Sequence, residues 1–160
     1  MSKVTKDTNY LSWDNYFMGV ALLSSMRSKD PNTKVGACIV NQSKRIIGIG
    51  YNGLPYGCSD DEYPWGREGS FLDSKYPYVV HAEPNAILNA TTTLEGATLY
   101  VTLFPCHECV KLIIQSGIKE IVYMSDKYAG TESSIAGKRM LASANVKCRQ
   151  MEEINITVAQ

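Results

Sequence analysis

The fold turns on HAEPNAILNATTTLEGATLYVTLFPCHEC, residues 81–109. Its middle, Ala97 to Phe104, is a short run of Leu, Tyr, Val and Thr and reads as a buried strand. Before it, Pro84 to Ala90 reads as a helix opening just after His81. Proline is tolerated in that first turn because its missing N–H has no helical partner there. After it, Cys106 to about Ser116 reads as a second helix stopped by Gly117.

The flanking chain continues the alternation. Trp13, Tyr16, Phe17, Val20 and Leu23 recur at steps of three and four, predicting one face of a helix from about Ser12 to about Arg27 that ends at Asp30-Pro31-Asn32. Val35 to Val40 and Arg45 to Tyr51 are strand-like and joined by the polar Asn41-Gln42-Ser43-Lys44, which predicts a hairpin. A strand from Glu120 to Met124, a weaker helix from Ser133 to Ala144 and a strand-like tail complete the order α-β-β-α-β-α-β-α-β. Such a chain is expected to be an α/β fold: a three-layer α/β/α sandwich whose mixed sheet has about five strands, the early hairpin supplying the antiparallel part. Gly53 to Pro77 holds four glycines and three prolines, too long a stretch for a passive connector, and reads as a functional loop.

At 160 residues, with no repeat, low-complexity tract or linker, residues 1–160 are expected to form a single domain. No apolar run approaches the ~20 residues needed to cross a bilayer. Sixteen Lys and Arg balance sixteen Asp and Glu, without the basic excess of a polynucleotide binder, which points to a small ligand. Met1 to Tyr10 is polar and lacks the pattern of a secretory peptide, so the expected location is cytoplasmic. Five cysteines, an odd number, fit a reducing compartment and turn attention to metal or catalysis.

Cys106 and Cys109, three apart at a helix start, direct both sulfurs to one point, and the helix dipole favours their thiolates. A third ligand from His81 gives Zn²⁺ an N,S,S set with one coordination position open, the arrangement of a catalytic rather than a structural zinc. Glu83, two residues after the histidine, is suited to move protons between water, a ring nitrogen and a departing amine, leaving ammonia and a carbonyl. H-x-E followed by P-C-x-x-C is the mark of zinc nucleobase deaminases. Alone, the C-x-x-C would read instead as a redox pair or half of a structural zinc site; His81 and Glu83 reverse that. Cys38, Cys58 and Cys148 read as buried or incidental thiols, and His107 and Glu108 as solvated residues pointing away from the shared face.

The chain resembles the deoxycytidylate deaminases within the cytidine-deaminase-like zinc enzymes. The resemblance runs from about Tyr10 to Tyr128 through Arg27-Ser28-Lys29-Asp30-Pro31-Asn32, Gly48-Ile49-Gly50-Tyr51-Asn52-Gly53, Gly57-Cys58-Ser59-Asp60-Asp61, Lys75-Tyr76-Pro77-Tyr78, His81-Ala82-Glu83, Phe104-Pro105-Cys106 and Ser125-Asp126-Lys127-Tyr128. It implies that His81, Cys106 and Cys109 hold zinc, that Glu83 shuttles protons and that Asn52 meets the substrate's sugar. It puts Arg27 either at the 5′-phosphate or free in solvent at a helix end, and Tyr128 either beside the base or phosphate or in simple packing. The implied reaction converts dCMP to dUMP and ammonia, supplying dUMP for thymidylate synthesis. A homohexamer activated by dCTP and inhibited by dTTP is implied as well, with the triphosphate in the loop after Tyr51 and Asp60 or Asp61 helping to hold Mg²⁺. Pro84 departs from the aliphatic residue usual after the glutamate and is expected to push Glu83 toward extended backbone angles. Rival readings are deamination of another small cytosine nucleotide such as dCTP, or a catalytically silent nucleotide-binding subunit that keeps zinc for stability.

Overall fold

The computed structural model describes residues 1–160. Four helices and five strands follow in order: α1 (Trp13–Ser25), β1 (Gly36–Val40), β2 (Ile46–Tyr51), α2 (Ala82–Asn89), β3 (Thr98–Leu103), α3 (His107–Gln115), β4 (Glu120–Ser125), α4 (Glu132–Ser143) and β5 (Lys147–Gln150). The strands form one mixed sheet in the order β2-β1-β3-β4-β5. β1 runs antiparallel to both β2 and β3, whereas β3, β4 and β5 are parallel. The five-stranded α/β sandwich read from the sequence is therefore present.

Alternation of side chains across the sheet builds its two faces. Ala37, Ile39, Leu99, Val101 and Ile121 join Ala82 and Ala86 of α2, Val110 and Ile113 of α3 and Leu141 of α4 in the larger core. Cys38, Val40, Tyr100 and Val122 point the other way and pack with Phe17, Met18 and Ala21 of α1. Three helices thus cover one face and α1 the other.

The buried stripe of α1 differs from the one its large apolar residues predict. Phe17, Met18, Ala21 and Ser25 are buried, while Trp13, Tyr16 and Leu23 are about half exposed. Backbone proximity decides this. A Cβ on Gly36 would stand 1.7 Å from the carbonyl oxygen of Ala21, so α1 lies on β1 through small residues and leaves its aromatic side outside. The helix also ends at Ser25, earlier than Asp30-Pro31-Asn32. Asp30 instead organises the following loop, its Oδ1 accepting from the N–H groups of Asn32 and Thr33 at 2.8 and 3.2 Å.

The opposite face has a similar close approach. A Cβ on Gly50 would lie 2.4 Å from the amide nitrogen of Ala86 and 2.5 Å from the carbonyl oxygen of Ala82. Asn85 and Asn89 of α2 donate to the carbonyls of Tyr51 and Ile49 at 2.8 and 3.1 Å, fastening the helix along edge strand β2. Past the strand, Gly53 and Val80 exchange two backbone hydrogen bonds at 3.0 and 2.8 Å. They close the long loop and place Asn52 beside the chain that enters His81.

Candidate active site

His81 caps the N-terminus of α2 and Cys106 that of α3, both with extended backbone (ψ 165°) and neither using its side chain as the cap. Those side chains are free to converge. His81 Nδ1 lies 3.5 Å from Cys106 Sγ and 3.3 Å from Cys109 Sγ. Tetrahedral zinc bound at ordinary Zn–N and Zn–S lengths requires an N···S edge of about 3.6 Å, close to both distances here, and all three donor atoms lie within 4.8 Å of one another, so the donor set fits the ion. His81 is the exposed member of the cluster, Cys106 is half-buried and Cys109 is buried.

The two sulfurs differ electrostatically. The hydrogen bond from Cys109 and then that from His81 hold the Cys106 thiol down at about 4, while Cys106 and burial push Cys109 well up. A dication held by the cluster would favour deprotonation of both sulfurs. His81 is raised, first by its hydrogen bond with Cys106, against a lowering by burial.

Glu83 sits in the first turn of α2, 3% exposed, and burial raises its carboxyl above the usual range even though the Cys109 thiol hydrogen-bonds to it. Its backbone is helical. Pro84 therefore does not push Glu83 to extended angles; it occupies the third position of α2, where the helix geometry overrides the pre-proline bias and no N–H is missed.

A cleft of about 500 Å³ opens over Glu83 and the cluster, a volume suited to a small-molecule ligand. Asn52, 6% exposed, lines it. Its Oδ1 accepts from the Val35 N–H and its Nδ2 donates to the Thr33 carbonyl, both at 2.9 Å, which leaves one N–H and one lone pair for a ligand. Tyr128 lines the cleft mouth, half exposed, with the Lys127 ammonium 5.2 Å from its ring centre. Arg27 stands exposed beyond α1, outside the residues that line the cleft. His107 is less free than its position predicts: its N–H and Nδ1 meet Ser133 Oγ at 3.1 and 2.9 Å, which joins α3 to the start of α4. Glu108 is exposed and pairs with Lys111, as its position predicts.

The cleft also holds charged residues that the motifs did not single out. Asp30 and Lys75 form a buried ion pair at 2.5 Å, and Arg67 donates through Nη2 to Thr33 Oγ1 at 2.9 Å. Only the length and composition of the Gly53–Pro77 loop signalled that it would carry such groups.

The Cytidine and deoxycytidylate deaminase zinc-binding region, as a family, matches residues 11–125. The chain is 55% identical to the deoxycytidylate deaminase of Homo sapiens over 154 residues, covering 94% of this chain and 86% of that one. It is 53% identical to a probable deoxycytidylate deaminase of Drosophila melanogaster over 152 residues, 91% of this chain and 75% of that one. A solved structure of a dCMP deaminase from the cyanophage S-TIM5, in complex with dCMP and dUMP, superposes with a TM-score of 0.69 at 28% identity, covering 86% of this chain and 95% of that one. With the family's zinc-binding region spanning most of its length, and with relatives at such identity, this chain belongs to the cytidine and deoxycytidylate deaminases.

Proposed function

We propose that the protein converts deoxycytidine 5′-monophosphate and water to deoxyuridine 5′-monophosphate and ammonia. One observation carries this: a buried carboxyl, Glu83, stands beside a His81, Cys106 and Cys109 cluster of zinc-binding shape beneath a nucleotide-sized cleft. Zinc held by these three side chains would supply Lewis acidity, drawing the proton release of a nearby water toward neutral pH. Glu83 does the proton work. Burial keeps its protonated form accessible, so it takes a proton from water and passes it to N3 of cytosine as the hydroxyl adds at C4, then carries the proton of that hydroxyl to the amine, which leaves as ammonia while the C4 carbonyl forms. Asn52, with its remaining N–H and lone pair, faces the sugar, and Tyr128 borders the base or phosphate. For Arg27, exposed outside the cleft lining, we keep only a secondary contact to the phosphate as a proposal, resting on family resemblance. Glu83→Ala is expected to retain one zinc per chain and to lose turnover by about 10²–10⁴-fold. Parental ammonia release from that variant would refute the assignment. Parallel assays with dCTP would show whether the triphosphate is the preferred substrate instead.

The finer reading concerns supply, control and assembly. The product dUMP feeds thymidylate synthesis in the cytoplasm, and residues 1–160 act as one domain. dCTP raises the rate and dTTP lowers it through the Gly53–Pro77 loop, where Asp61 is an exposed carboxylate for Mg²⁺ and Asp60 pairs with Lys29. The exposed apolar stripe of Trp13, Tyr16 and Leu23 supports assembly into a homohexamer. Titrating the rate with each triphosphate and weighing the assembly in solution test these points. Flat responses, or a monomer, would remove them.

A further inference from the structure

A nucleotide carries a phosphate dianion at one end, and the charges of the cleft wall narrow the choice of what receives it. Lys75 is neutralised by Asp30, and Asp126 is paired with Lys138 at 2.7 Å. Arg67 alone among the lining lysines and arginines has no carboxylate partner. A single hydrogen-bonded path fixes its place. Asn52 Nδ2 donates to the carbonyl of Thr33, and Thr33 Oγ1 accepts from Arg67, both at 2.9 Å. Thr33 is itself held through its N–H by Asp30. The backbone bearing Arg67 is anchored as well, since the carbonyls of Trp65 and Gly66 accept from Asn32 Nδ2 at 3.3 Å and from the Lys75 N–H at 2.9 Å. The path runs Asn52, Thr33, Arg67 along a cleft that Glu83 also lines, which suits a nucleotide with its base at Glu83, its sugar at Asn52 and its 5′-phosphate at Arg67.

We propose that Arg67, steadied by Thr33, receives the 5′-phosphate and sets the preference of this site for a nucleoside monophosphate over the free nucleoside. The inference rests on the deaminase reading and concerns its selectivity. The guanidinium spends one N–H on Thr33 and keeps others for a forked contact with phosphate oxygens. Losing a charge-assisted pair of this kind weakens binding roughly tenfold to hundredfold.

The test uses the whole zinc-loaded protein and two readouts. Calorimetry compares dUMP with deoxyuridine, and ammonia release compares dCMP with deoxycytidine, for the parent, R67A, R67K, T33V and R27A. In R67A the Kd for dUMP and the KM for dCMP are expected to rise roughly tenfold to hundredfold, with deoxyuridine, deoxycytidine and kcat little changed. R67K, which keeps the charge and loses the fork, falls between, and T33V shifts in the same direction by less. An unchanged phosphate preference in R67A, or its loss in R27A alone, overturns the proposal. If the parent deaminates neither cytosine compound, the deaminase reading fails while the dUMP arm still decides the phosphate site. If R67A melts early, R67K and T33V decide instead.

Discussion

Asp30 and Lys75 are 1% and 9% exposed, so both charges of this pair have left water. Burial of such ions is tolerated only while each satisfies the other, and here the carboxylate also accepts from two backbone N–H groups. Removing one member strands its partner, whereas removing both leaves a surface that apolar groups can fill. D30N is therefore expected to cost about 3–5 kcal/mol, a fall in Tm of roughly 6–20 °C, because Lys75 keeps its ammonium with no counter-charge. D30N combined with K75M should recover most of that loss, and calorimetric melts of the two proteins check it. A double variant no more stable than D30N would mean that the backbone hydrogen bonds of Asp30, rather than its charge, hold the loop.

Helix α2 carries His81 at its cap and Glu83 in its first turn, so its position on the sheet sets the geometry of the site. That position depends on Gly50, where a side chain would run into the α2 backbone at Ala82 and Ala86, which cannot give way as a flexible side chain would. G50A is expected to cost about 1–3 kcal/mol by overpacking and to pull His81 away from Cys106 and Cys109, lowering the zinc bound per chain. G66A, where a Cβ meets nothing within 4 Å, should change stability by less than about 0.5 kcal/mol. Melting temperature and metal content measured together distinguish a moved helix from a merely weakened one. If G50A retains a full complement of zinc, the helix does not need this contact for its position. Glycine in a strand is itself a sequence signal of close approach, yet which helix approaches, and where, is set only once the chain has folded.

Across the whole molecule, the patterns that were legible in the sequence are local ones. The alternation of strand and helix, the turn after Val40 and the spacing of His81, Glu83, Cys106 and Cys109 all lie within short windows, where periodicity and helix geometry act directly. What was not legible depends on partners far along the chain: Arg67 with Thr33, Lys75 with Asp30, His107 with Ser133. The buried side of α1 differs from its large apolar stripe for a related reason, because small residues permit the contact and large ones do not mark it. A further long-range group joins the two ends of the chain. Asp14 of α1 forks onto Arg149 of β5 at 2.6 and 2.8 Å and accepts from the Tyr100 hydroxyl of β3 at 2.6 Å, while Arg149 also donates to Glu120 at 3.0 Å. The hydrogen bonds from Arg149 hold the Asp14 carboxyl down at about 2. Asp30 is lowered too: burial pushes it up, but the hydrogen bonds from Lys75, Asn32 and Thr33 outweigh it. Because both carboxyls lie below their unfolded value near 3.8, they bind fewer protons folded than unfolded. Their contribution is therefore complete above that value and is lost as pH falls through it toward about 2. The urea midpoint is expected to stay level as far as these two groups are concerned down to about pH 5 and then to drop, with D14N starting lower and dropping less steeply. Asp14 is about one-third exposed, so added salt should narrow the gap between parent and D14N, while the share owed to buried Asp30 persists. Metal release in acid is common to both proteins and cancels in their difference. Parallel pH profiles for parent and D14N would show that the Asp14–Arg149 fork contributes nothing to holding α1 against the sheet.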